Sequence, residues 1–67
     1  MYAVQIEMPS GAKSKPRECE DQPVAEKLMA SFVSQMKVWV NFEAWVLLLE
    51  IEEEISREHV KTHEKNP

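Results

Sequence analysis

His59 and His63 stand four residues apart, a spacing that on a helix sets both imidazoles on one side, with Glu52 near the same angular sector two turns earlier. Zinc is the metal that such a trio would suit. The trio lacks the glutamate of a metalloprotease HExxH motif and a clear third ligand, so two ordinary surface histidines are expected and no metal is assigned. Cys19, the single cysteine, lies between Glu18 and Glu20, which disfavour its thiolate. It reads as an incidental thiol in a reducing compartment.

Glu43 is the one carboxylate whose neighbours, Phe42 and Trp45, could desolvate it. Acid–base catalysis needs two carboxylates held in different environments, one dry and one wet, and one such residue does not supply that. The chain holds a single glycine, which leaves nothing from which to build a phosphate cradle, and no Ser, His and Asp set stands out. The expectation is a non-enzymatic protein with no cofactor.

The formal net charge of -4, from 12 acidic against 8 basic residues, opposes a phosphate backbone, so nucleic acid is a poor partner. Lys13, Lys15 and Arg17 do cluster, but Pro16 interrupts them and Glu18, Glu20 and Asp21 follow. They read as a solvated linker. Membrane is a poor partner too. The most apolar window, Phe32 to Ile51, is long enough to span a bilayer but contains Lys37, Asn41, Glu43 and Glu50. The first residues lack the basic start and continuous apolar core of a signal peptide, which makes a cytoplasmic location the expectation.

The elements that would position these groups are dominated by residues 23–64, free of Gly and Pro after Pro23 and holding both tryptophans and both phenylalanines. At about 100° per residue, Leu28, Met29, Phe32, Val33, Met36 and Trp39 share one half of a helical wheel. Beyond Asn41 the apolar phase changes: Ala44, Leu48, Ile51 and Ile55 are spaced 4, 3, 4 as in a coiled-coil seam, and Phe42, Trp45, Val46 and Leu49 form a second face. Asn41 is a candidate N-cap for a second helix. Asp21, Gln22 and Pro23 make a good start for the first.

Residues 1–8 alternate as a half-buried strand would, Tyr2, Val4, Ile6 and Met8 against Ala3, Gln5 and Glu7. Residues 9–22, rich in Pro and charge, read as a linker, and 65–67 as a frayed tail. The expected fold class is therefore mainly α, a long amphipathic helix or two-helix hairpin in an oligomer, behind a short N-terminal extended segment. The alternative is a small α+β fold with a two-stranded sheet, in which Lys37 to Phe42 supplies the second strand.

A chain this short is marginal on its own core. The expected function is a small protein–protein interaction module, a regulator, adaptor or assembly factor, that binds itself or a larger protein. Its surface would be Leu28, Phe32, Met36, Trp39, Phe42, Trp45, Leu48, Ile51 and Ile55. The alternative is a dimeric nucleic-acid-binding transcriptional regulator whose N-terminal strand pairs with its copy.

Overall fold

The structure, a computed structural model, describes residues 1–51 and 53–63. Its elements are β1 (Tyr2–Glu7), β2 (Arg17–Cys19), α1 (Gln22–Met36), β3 (Glu43–Glu50) and β4 (Glu53–Lys61). The strands form one antiparallel sheet in the order β2-β1-β3-β4, and α1 covers one face of it. The tail 65–67 and Glu52 of the zinc reading lie outside the described residues.

The mainly α expectation is overturned, and with it the helical hairpin and the coiled-coil-like seam. Among the described residues one helix faces a four-stranded sheet, so the α+β alternative fits better, with more strands than it foresaw. The second helix does not form. Residues 43–50 are a central strand, paired with β1 on one side and β4 on the other. Ala44, Val46 and Leu48 of this strand join the core with α1, while Leu47 is buried on the opposite face. A strand covered on both faces has no polar side, so its sequence is a continuous apolar run that local periodicity cannot tell from a buried helix.

Helix α1 begins as the sequence suggests. Asp21 caps it, its carboxylate accepting a hydrogen bond from the Val24 amide at 3.1 Å, and Pro23 occupies the first turn. Its buried residues, Ala25, Met29, Val33 and Met36, recur at intervals of four, four and three and pack on Val4, Ala44, Val46, Leu48 and Val60. Ala25 and Ala44 are both fully enclosed, small side chains that admit a close approach of helix and sheet.

The helix ends at Met36, short of Val40. Asn41 has φ 54°, a left-handed conformation that asparagine tolerates, and it turns the chain into β3 where an N-cap was expected. The 9–22 segment holds more structure than a linker: Ser14 donates its amide to the Ile6 carbonyl at 2.8 Å, and its hydroxyl accepts from the Ile6 amide at 3.0 Å. Those bonds tie the long β1–β2 connection to the sheet.

Candidate interaction surface

Among the described residues no helix covers the second face of the sheet, yet that face is not an open apolar plane. Leu47, at its centre, is 1% exposed and stands between Gln5 and Arg57 in the strand register. Arg57 donates from Nε and Nη2 to the two Glu54 oxygens at 2.7 and 2.6 Å, and from Nη1 to Glu7 at 3.4 Å. Long polar side chains can cover apolar surface with their stems while their heads remain wet. This face is closed by its own charges.

The Arg57 hydrogen bonds hold the Glu54 carboxyl below its ordinary range, and the same pairing raises the Arg57 guanidinium. A carboxylate whose folded pKa is depressed contributes stability above its unfolded value of about 4.3, and that contribution fades as pH falls through the folded value. Both groups are exposed, so solvent screening keeps the effect small. Glu54→Gln should melt below wild type near neutral pH, and the gap should close in acid. A gap independent of pH would assign the loss to packing.

Trp45 and His59, opposite each other in the β3–β4 register, stack with ring centroids 4.8 Å apart and 15° between planes. The second ring nitrogen of His59 lies 2.6 Å from Glu43 Oε2. An imidazole held on its face by an indole and at its edge by a carboxylate clamps two strands together. His63 lies beyond the end of β4, and among the described residues no group of three His, Cys, Asp or Glu side chains could hold a metal ion.

The most exposed apolar side chains lie instead at the two ends of the strands. At one end, the loop between α1 and β3 presents Val38, Trp39 and Val40 at 76%, 51% and 57% exposure. Trp39 meets Phe42 edge-on at 4.8 Å and stays half exposed. Pairing of the Phe42 and Thr62 backbones, with Thr62 donating to the Phe42 carbonyl at 2.8 Å, brings Lys61 and His63 beside the loop. Lys37 and Lys61 make a cationic rim around an apolar tip, with His63 beside it.

At the other end, Met1, Ala3, Pro16, Glu18, Leu49 and Ile51 line a shallow groove of about 330 Å³. Ile51 is 77% exposed and has φ 47° in the β3–β4 turn. A β-branched residue in that region is strained.

The nine residues expected to form one interface are thus dispersed. Met36 and Leu48 are core, while Leu28, Phe32 and Phe42 pack against it. Trp45 lies in the stack, Trp39 on the tip, and Ile51 at the groove. Ile55, 44% exposed, is the extra residue of an irregularity in β4: Leu48 pairs with Ser56 but Leu49 with Glu54. Sequence reasoning missed Val38, Val40, Lys61 and the groove. The run Val38-Trp39-Val40 before Asn41 was the available signal for the tip, since three apolar residues ahead of a turn former suit a loop as well as a helix.

No family model, curated protein or solved structure matches the chain. Among the described residues, no helix is long and apolar enough to cross a membrane.

Proposed function

We propose that this chain is a small non-enzymatic protein–protein interaction module, a cytoplasmic regulator, adaptor or assembly factor, that binds through the Val38–Val40 tip. The observation that carries this reading is the contiguous exposure of Val38, Trp39 and Val40 in a fold that encloses Leu47 on its uncovered face. Clustered apolar side chains that a small domain leaves wet mark an interaction site, and tryptophan inside a charged rim is the residue type on which binding energy concentrates. The nucleic-acid alternative needs a free N-terminal strand. β1 has both edges occupied, by β2 and β3.

A photo-reactive side chain at position 38, with Trp39 intact, tests the reading in cells of the native host. The expected result is a discrete adduct, with a second copy or another protein, that disappears when Trp39→Asp is added while the melting temperature stays within a few degrees. Absence of any Trp39-dependent adduct would overturn it.

A further inference from the structure

We infer that the partner of the tip is the groove of a second copy, so that the chain assembles head to tail. This rests on the tip being an interaction surface, as proposed above, and names what fills it. The tip and the groove are at opposite ends of β3 and β4, because the tip precedes Glu43 and meets Lys61 while the groove includes Leu49 and Ile51. Their charges are opposite as well. Lys37 and Lys61 surround the tip, and Glu43, opposite Lys61 at the start of β3, is turned to a hydrogen bond with His59. Glu18 lines the groove with the Met1 ammonium, and Glu50 and Glu53, exposed on either side of the Ile51 turn, leave this end with an excess of carboxylates.

Complementarity therefore favours one arrangement over its alternatives. Tip against tip would set the cationic rims of two copies against each other, and groove against groove would do the same with the carboxylates, an arrangement that like-charge repulsion penalises. Tip in groove pairs unlike charges around an apolar centre. A groove of about 330 Å³ lies at the small end of ligand pockets. It suits a single large side chain, and Trp39 is the largest one that the tip exposes.

The edges of the sheet, β2 and β4, are a weaker route to self-association, and β2 is only three residues long. β4 carries the irregularity at Ile55 and a run of charged residues, both of which discourage strand pairing.

Ile51 adds an independent observation. Its left-handed turn position would be relaxed by Asn or Asp, which tolerate that region. Instead the position carries a strained, exposed isoleucine at the lip of the groove. Strain at an exposed apolar residue points to a role for that residue at a surface contact. Because tip and groove are different patches, the contact is heterologous, and copies add in an open chain unless the rotation between them closes a ring.

Sedimentation over a wide concentration range tests this with two variants that keep the fold. Trp39→Asp removes the tip and leaves the groove, while Ile51→Asp removes the groove and leaves the tip. Wild type should grow in mass beyond a dimer as concentration rises, and each variant alone should remain monomeric. An equimolar mixture of the two should form a dimer and stop there, since one live tip meets one live groove. Added salt should weaken both assemblies, because exposed charges are screened over about 8 Å at physiological ionic strength.

Ile51→Asp should melt no lower than wild type, so that lost assembly cannot be assigned to lost folding. A wild-type chain that stays monomeric throughout, or variants that fail to complement, would overturn the head-to-tail contact. The photo-crosslink separates that failure from failure of the interaction module itself. An adduct with a different protein would leave the module standing, and no adduct would remove both.

Discussion

Leu48→Asp leaves the chain without a cooperative thermal transition by circular dichroism. Leu48 is 3% exposed and packs between the sheet and α1, in the cluster formed by Val4, Met29, Val33 and Val46. No buried polar or charged residue stands among the described residues to pair with a carboxylate there. The substitution removes a core side chain, about 2–5 kcal/mol for truncation alone, and the charge must be buried unpaired or drag water into the core. At about 0.05–0.15 kcal/mol per residue, a domain of this size has roughly 3–10 kcal/mol in total. The combined cost reaches the whole of it. A cooperative melt within about 5 °C of wild type, a shift that corresponds to roughly 1 kcal/mol in a domain this small, would show that this face of β3 is not the core.

Leu47→Ala should cost about 2–4 kcal/mol, lowering the melting temperature by roughly 10 °C or more, although Leu47 points away from the only helix described. Its 1% exposure is the reason, with Gln5 and Arg57 beside it and the Trp45–His59 stack on the same strands. Ile55→Ala is the matched control, an aliphatic residue 44% exposed on the neighbouring strand. It should stay near 0.5 kcal/mol, as surface substitutions do. Equal, small effects at both positions would mean that the polar side chains over Leu47 do not exclude water. The pair of variants thus separates a sheet closed on both faces from one whose second face is open.

Where local chemistry decides the backbone, the structure follows the sequence closely. The Asp21 cap and Pro23 act through groups within one helical turn, so the start of α1 was legible. The alternation of Tyr2, Val4 and Ile6 was legible for the same reason, since it is a property of six adjacent residues. Residues 43–61 follow a different rule. Glu43, Glu50, Glu53, Glu54 and Glu58 are tolerable helix formers, and Leu47, Leu48 and Leu49 more so. Their conformation is set by β1 and by each other across a turn that lacks the usual Asn-Gly signal.

The candidate surface divides in the same way. Trp39 and Ile51 stood out in the sequence as large apolar side chains in a short acidic chain, and the structure leaves both exposed. The grouping around them was not legible there. Lys61 stands beside Trp39 because β4 returns along β3, and Glu18 shares a groove with Leu49 because β1 brings β2 and β3 together.

The sequence by itself determined the chain's acidity, the first helix, the first strand, and an apolar content too large to stay wet. Only the tertiary structure decided that residues 43–50 and 53–61 are strands, that Leu48 and Met36 serve the core, and that the most exposed apolar side chains stand at opposite ends of the strands. The physical reason is the range of the forces involved. Caps and alternation act within a few residues, whereas strand pairing and burial on two faces depend on segments up to tens of residues apart.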